Sequence, residues 1–220
     1  MNKDTTLSGS AYDQIKSDIV SCTLVPGQLV TENELCERYG YGKAPIRNAL
    51  TRLESVNLVR ARRRQGYAIA PVTLVDAQHI FQLRMLIEPE LARLAAGNLK
   101  DKQLRVMNKA CGFGASNGPE SIQDFLQLNE EFHLAIAEAA GNPRFKKLME
   151  QLLDDAHRML FMGLTEAPKA DDFRREHKEL LEALMSNRPE KAANLVREQL
   201  QGGLDMVAQA LLKKLTAEAI

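Results

Sequence analysis

Five polar side chains stand at positions where a buried apolar residue is expected. They are Arg84, Asn129, His133, His177 and Gln199. Each lies at helical spacing among apolar residues, so that it falls on the inward stripe of its own helix. A buried polar group is costly unless it has a partner. The simplest explanation is that the five groups converge on one polar pocket, which holds a ligand, a metal or water.

Each of these residues taken alone has a simpler interpretation. A single inward histidine, such as His133 or His177, is more often a satisfied core residue than a ligand. Arg84 could pair with Glu88 one helical turn further on, and Gln199 could face solvent if the assigned helical phase is wrong. Only the five residues together favour a ligand pocket between the helices of a bundle.

The part of the chain that carries these residues has a helical pattern throughout. Thr73 and Asp76 form a cap signal, and a helix is predicted to follow as far as about Ala96. Further breaks predict about six helices over 73–220, arranged as an antiparallel bundle. The breaks lie near Lys100 and at 112–119, 141–143, 163–170 and 187–189.

The N-terminal third of the sequence has a different pattern. Apolar spacing predicts helices over 10–21 and 31–39, and a third helix from about Lys43. Alternation between Val59 and Ile69 then predicts two strands joined by a short turn. Two short helices with a glycine-containing turn, followed by a hairpin, are typical of a winged helix-turn-helix.

The predicted fold class is therefore mainly α, in three parts. A flexible tail is expected over 1–9, a winged helix-turn-helix over 10–72 and an all-helical domain over 73–220. No apolar run approaches the roughly 18 residues of a membrane span, and the N-terminus lacks the apolar region of a secretory signal. The 3 cysteines form no CxxC pair, which favours a reducing compartment. The sequence predicts a cytoplasmic protein without a membrane partner.

The charge is unevenly distributed, although the chain as a whole has 29 basic and 29 acidic residues. Over 40–75 there are 7 basic residues and 1 acidic residue, a net charge of 7 − 1 = +6. Three arginines, 62–64, fall at the turn between the two predicted strands. A basic triplet alone is more often a solvated turn, but directly after a helix-turn-helix it predicts contact with nucleic acid.

Several short motifs follow one another without gaps over 11–71. They are Tyr12-Asp-Gln-Ile15, Leu24-Val-Pro-Gly-Gln-Leu29, Glu34-Leu35, Ala44-Pro45-Ile46-Arg47-Asn-Ala-Leu50, Leu53-Glu54, Leu58-Val59 and Gln65-Gly66-Tyr67. Together they resemble the winged helix of the GntR family of bacterial transcription regulators. The resemblance implies contacts with double-stranded operator DNA by Asn33, Lys43, Ala44, Arg47, Gln65 and Gly66. The basic turn adds Arg63, which is expected to meet the phosphate backbone.

The helical part is similar to the effector domain of the FadR-like subgroup of that family. The motifs are Leu83-Arg84-Met-Leu-Ile-Glu88-Pro89, Asn129-Glu-Glu-Phe132-His133-Leu-Ala-Ile136, Ala140-Gly-Asn142-Pro143 and Glu176-His177-Lys-Glu-Leu180-Leu-Glu-Ala183. Many members hold a divalent metal there through one Asp and three His. The corresponding positions in this chain are Asn129, His133, His177 and Gln199. Two of the four ligands are thus replaced by amides, which are poor ligands for Zn²⁺.

The resemblance implies at most a weakly held divalent metal (Zn, Ni or Mn) on His133 and His177. It also implies a pocket for a small organic-acid or sugar-acid effector, with Arg84 as the clamp for the carboxylate. The prediction as a whole is a homodimeric, ligand-responsive transcription regulator that represses a metabolic operon and is not an enzyme.

Two other classes of function compete with this prediction. Glu130-x-x-His133 has the spacing used by di-iron helical bundles, but its nearest companion is only Asp154-x-x-His157. A metalloenzyme therefore has little support. A DNA-architectural protein without an effector is the other alternative, and an apolar bundle with a polar centre argues against it.

Overall fold

The computed structural model describes residues 3–112, 119–166 and 170–218. The chain divides into two compact units, Met1–Val72 and Thr73–Ile220. The described residues form nine helices and three short strands. The predicted fold class, mainly α with a small wing and an all-helical part, is confirmed.

The first unit has the element order of a winged helix-turn-helix. Its elements are α1 (Lys3–Val20), β1 (Leu29–Val30), α2 (Glu32–Tyr39), α3 (Lys43–Ser55), β2 (Val59–Arg62) and β3 (Gly66–Ile69). The predicted cap of α2 is present: the backbone nitrogen of Glu34 donates to Thr31 Oγ1 at 3.2 Å, and that of Thr31 donates to Glu34 Oε2 at 2.7 Å. Gly40 ends α2 with a φ of 71°, a left-handed conformation that glycine adopts without steric cost.

Two features of this unit differ from the sequence prediction. α1 begins at Lys3, so most of the tail expected over 1–9 continues the helix. No proline interrupts this stretch, and the single glycine Gly9 costs only about 1 kcal/mol in a helix. β1 was not predicted because two residues are too few to show an alternating pattern.

The sheet is antiparallel, in the order β1-β3-β2. Val59 pairs with Ile69 and Arg62 with Gly66 across β2 and β3, while Val30 pairs with Tyr67 across β1 and β3. One apolar core joins the three helices to the sheet. Its buried residues are Ala11, Ile15, Ile19, Leu24, Val30, Leu35, Ile46, Ala49, Leu50, Leu53, Leu58, Val59 and Ile69.

In the second unit, six helices are present among the described residues, as predicted. They are α4 (Leu74–Ala95), α5 (Asp101–Gly112), α6 (Pro119–Ala139), α7 (Pro143–Glu166), α8 (Ala170–Met185) and α9 (Pro189–Glu218). Thr73 caps α4 by accepting a hydrogen bond at 3.1 Å from the backbone nitrogen of Asp76. α4 packs along α9 and also contacts α6 and α7, which places the inward stripes of these helices against one another.

Two glycines allow α9 to approach its neighbours closely. A Cβ on Gly203 of α9 would lie 3.1 Å from the ring of Phe81 on α4. A Cβ on Gly163 of α7 would lie 2.8 Å from the side chain of Met206 on α9. Gly203 also lies beside the polar side chains of the second unit.

Candidate functional sites: a basic surface and a buried polar cavity

The outer face of α3 carries three of the residues for which the family resemblance implies contact with DNA. Lys43, Ala44 and Arg47 are exposed, because the opposite face of the helix is buried in the core. The buried residues are Ile46, Ala49, Leu50 and Leu53. Asn33, in the first turn of α2, is also exposed.

Arg47 is held by a carboxylate of the neighbouring helix. Its Nε donates to Glu32 Oε1 at 2.9 Å and its Nη2 donates to Glu32 Oε2 at 2.7 Å. The hydrogen bond from Arg47 is the largest influence on the Glu32 carboxyl and, against the effect of burial, lowers its pKa. Tyr67 of β3 lies close enough to interact electrostatically with Arg47. The guanidinium of Arg47 therefore lies where α2, α3 and the base of the wing meet.

The tip of the wing is a tight turn between β2 and β3. Arg63 and Gln65 are exposed there, and the backbone nitrogen of Gln65 donates to the carbonyl of Arg62 at 3.0 Å. Gly66 has a φ of +94°, and a Cβ at this position would lie 2.4 Å from the carbonyl oxygen of Val30. Glycine therefore stabilises the wing at this position, whether or not Gly66 also touches DNA.

The five inward polar residues of the second unit all line one cavity. Arg84 is 2% exposed, and each of the other four is also buried. They share the cavity with Phe81, Leu160, Phe173, Leu200 and Gly203. Its volume is about 20 Å³, and roughly 10–15 Å³ is needed to hold one water molecule. The convergence expected from the helical stripes is thus present in the structure, in a cavity with room for a single water.

Glu88 neutralises Arg84 and also faces His133. Arg84 Nε donates to Glu88 Oε1, and His133 Nδ1 lies 2.9 Å from Glu88 Oε2. Burial by itself raises the pKa of the Glu88 carboxyl, but the charges of Arg84 and His133 outweigh burial and lower the pKa to about 2. In the sequence, Glu88 is recognisable only as a structural partner of Arg84. Its i,i+4 spacing from Arg84 predicted that pairing. No sequence pattern predicted the contact between Glu88 and His133 of α6.

The remaining hydrogen-bonding capacity of the cavity is unused by the described residues. Neither amide atom of Gln199 has a partner among them, and His177 Nδ1 has none. The His177 ring stacks on Phe132 with centroids 4.1 Å apart. Burial, and to a lesser extent the charge of His133, lowers the pKa of His177 well below its usual range. His177 is therefore a neutral imidazole, available to donate to or accept from a ligand.

The donor set does not fit a resident divalent metal. Across residues 3–112, 119–166 and 170–218 there is no cluster of three or more His, Cys, Asp or Glu side chains that could hold an ion. The site would offer the imidazoles of His133 and His177 and the amides of Asn129 and Gln199, and His133 Nδ1 already faces Glu88. Zn²⁺ prefers imidazole, thiolate and carboxylate ligands.

A third buried histidine of the described residues lies outside this cavity. His157 of α7 has no hydrogen-bond partner for either ring nitrogen among the described residues, and its Nδ1 lies 3.5 Å from Glu130 Oε2. Glu130 thus approaches His157 while His133 faces Glu88. The Glu130-x-x-His133 spacing that suggested a di-iron enzyme does not bring these two side chains to one site.

Two family models match the sequence. The model described as "FCD domain" covers residues 79–202, and the model described as "Bacterial regulatory proteins, gntR family" covers residues 7–69.

None of the helices in the described ranges has both the length and the apolar character needed to cross a lipid bilayer.

Three known proteins show similarity along nearly the whole chain. The HTH-type transcriptional repressor GlaR of Escherichia coli (strain K12) is 27% identical over 216 residues, which cover 94% of this chain and 97% of that protein. A protein of Paenarthrobacter nicotinovorans, named "Probable D-xylose utilization operon transcriptional repressor", is 24% identical over 218 residues, which cover 94% and 95%. The solved structure of E. coli McbR/YncC has a TM-score of 0.77 at 24% identity and covers 95% of this chain and 99% of its own. At this identity the structural similarity supports the fold.

Proposed function

We propose that this chain, which belongs to the gntR family of bacterial regulatory proteins and carries an FCD domain, represses a metabolic operon and responds to a small carboxylate metabolite. The family predicted from the sequence motifs is confirmed, and with it a DNA-binding transcription regulator rather than an enzyme. Repression of a metabolic operon is supported by the names of the relatives, of which one is "Probable D-xylose utilization operon transcriptional repressor".

The observation that carries the effector proposal is the unused hydrogen-bonding capacity around Arg84. Glu88 takes only the Nε of Arg84, and no described residue accepts a hydrogen bond from the two terminal nitrogens. This free edge of a guanidinium matches the two oxygens of a carboxylate. The amides of Asn129 and Gln199 can both donate and accept. They suit the hydroxyl or carbonyl groups of an organic acid or a sugar acid.

The effector must displace packed side chains in order to bind. The cavity of about 20 Å³ is much smaller than the roughly 300 Å³ at which ligand pockets begin. Phe173, near the start of α8, lines the cavity and is only half-buried. We expect this ring to move when the ligand enters.

The proposed regulation follows from the order of the elements along the chain. β3 ends at Ile69, and α4, which carries Arg84 and Glu88, begins at Leu74. A ligand that favours one arrangement of α4 can therefore change the affinity for operator DNA. The change is limited to the ligand's differential affinity for the two arrangements, typically about 1–3 kcal/mol.

A homodimer is proposed from the surface of α4. Val75, Leu83, Leu86 and Leu94 are exposed large apolar residues of this helix, and Leu86 is 72% exposed. At 100° per residue they fall on one side of the helix, as an interface with a second copy requires. A dimer would place two winged helices on a near-palindromic operator in the cytoplasm, with half-sites about one helical turn apart. Leu86→Asp should give a monomer in sedimentation, whereas Met185→Asp, at an exposed position of α8, should leave the dimer intact.

The effector proposal is tested by calorimetry on a panel of organic and sugar acids. An active acid should raise the melting temperature by mass action and change operator affinity. Gln199→Leu should weaken its binding about tenfold, because one polar group of the ligand loses its partner. Gln201→Leu, at an exposed position of the same helix, should not.

Arg84→Ala should abolish ligand binding as well, but it also removes the partner of Glu88. Gln199→Leu is therefore the sharper variant. An active acid that binds Gln199→Leu and Arg84→Ala as tightly as the wild type would contradict the assignment of this cavity.

A further inference from the structure

The ion pair between Glu32 and Arg47 uses one particular edge of the guanidinium. Nε and Nη2, which bond the two oxygens of Glu32 at 2.9 and 2.7 Å, form the side edge of the group. Nη1 and the second hydrogen of Nη2 form the end edge, which this pair leaves free. Two parallel N–H bonds from one edge are what an arginine uses to bind O6 and N7 of guanine.

The two partners differ in how firmly they are held. The Glu32 side chain is 23% exposed, whereas that of Arg47 is 62% exposed. Glu32 lies in the first turn of α2, where the helix dipole favours a carboxylate. Lys43 adds a second positive neighbour. The carboxylate is thus the fixed member of the pair, and the arginine extends from it toward solvent.

The pair has little value for the stability of the fold. Ion pairs between solvent-exposed side chains contribute little, because water screens the charges and two long side chains lose freedom. The same loss of freedom is useful for recognition, since an arginine that is already ordered loses less entropy when it binds a base. Arg47 is ordered in this way while the protein is free of DNA.

We propose that Glu32 is a positioning residue for sequence recognition: it holds Arg47 by the side edge and presents the end edge to a guanine in the operator. Without Glu32 the guanidinium is free to swing to the nearest phosphate, a contact that carries no sequence information. Glu32 therefore lowers the affinity for unrelated DNA and raises the affinity for the operator. This inference rests on the contact between Arg47 and operator DNA that the family resemblance implies, and it takes the contacted group to be a base.

The experiment measures the ratio of two affinities for the full-length protein at one salt concentration. The probes are a duplex selected from a random library by the wild type and a scrambled duplex of the same composition. Glu32→Ala should bind the scrambled duplex more tightly and the selected duplex less tightly, so that the ratio falls about tenfold, the value of one good bidentate contact. Glu37→Ala removes the same charge from an exposed position of α2 and should change both affinities by the same factor.

A double-mutant cycle separates positioning from simple charge removal. In an Arg47→Ala background, Glu32→Ala should leave the ratio unchanged. The proposal is overturned if the ratio of Glu32→Ala equals that of Glu37→Ala, or if the loss persists without Arg47. Should Glu32→Ala fail to fold, Glu32→Gln carries the test with the same criteria. If Arg47→Ala itself leaves the ratio unchanged, the proposed base contact is wrong as well, which distinguishes the two failures.

Discussion

Removing the charge of Glu88 should destabilise the protein strongly. In Glu88→Gln the guanidinium of Arg84 remains buried and cannot lose its proton, so it is left without an anionic partner. The pKa of Glu88 lies at about 2, against an ordinary value of 4.5, and this difference corresponds to about 3 kcal/mol of stability at neutral pH. Breaking a buried ion pair by removing one partner costs about 3–5 kcal/mol, and the value obtained from the pKa of Glu88 agrees with this range.

The assay is urea unfolding of the full-length protein at neutral pH. Glu90→Gln is the matched control on the same helix, because Glu90 pairs with Arg93 while 52% exposed. It should lose at most about 1 kcal/mol. The double variant Arg84→Met/Glu88→Met should recover most of the loss, since it removes both buried charges together.

The pH dependence of the unfolding free energy gives a second measurement of the stability that the Glu88 charge contributes. The pKa of Glu88 is lower in the folded protein than in the unfolded chain. Its contribution is therefore fully present above about pH 4.5 and is lost as the pH falls toward about 2. Wild type should lose about 3 kcal/mol more than Glu88→Gln across this window. The reasoning would be refuted if Glu88→Gln lost no more unfolding free energy than Glu90→Gln. It would also be refuted if the stability of wild type and of Glu88→Gln fell in parallel as the pH is lowered.

Three further predictions concern DNA contact, the wing and the metal. Arg47→Ala should weaken binding to a selected operator far more than binding to random duplex. Arg63→Ala should weaken binding to both and should reduce the slope of log affinity against log salt concentration by about one unit or less. Titrations at several salt concentrations measure both effects. Gly66→Ala should destabilise the first unit by about 1–3 kcal/mol, measured by chemical denaturation, because the new Cβ meets the backbone of β1 at a positive φ. Asn129→Asp combined with Gln199→His should raise the affinity for Zn²⁺ in a metal titration, and an unchanged affinity would show that these positions do not converge as ligands.

Periodicity was sufficient to find the cavity because its polar residues interrupt apolar stripes. Arg84, His133 and His177 each occupy a position where the helical phase demands an apolar side chain, and burial follows from phase alone. Glu88 also lies on such a stripe, but its spacing from Arg84 offered a complete explanation as a local pair. Its contact with His133 joins two helices and depends on how they pack, which no spacing in the sequence reports.

The difference between patterns that are local in sequence and contacts that depend on packing also explains which features of the first unit were not predicted. α2, α3 and the hairpin have caps, turns and alternation that are local in sequence. The pairing of Glu32 with Arg47 spans 15 positions and exists only because α2 and α3 cross at that point. The start of α1 at Lys3 was missed because the apolar pattern begins later than the helix.

The small volume of the cavity also bears on timing. A molecule larger than water can enter only after packed side chains have opened, so the opening step precedes binding. The association rate then reaches a plateau as the ligand concentration rises, well below the diffusion limit. The proposed effector should therefore bind at a rate set by this opening, even when the ligand is in excess.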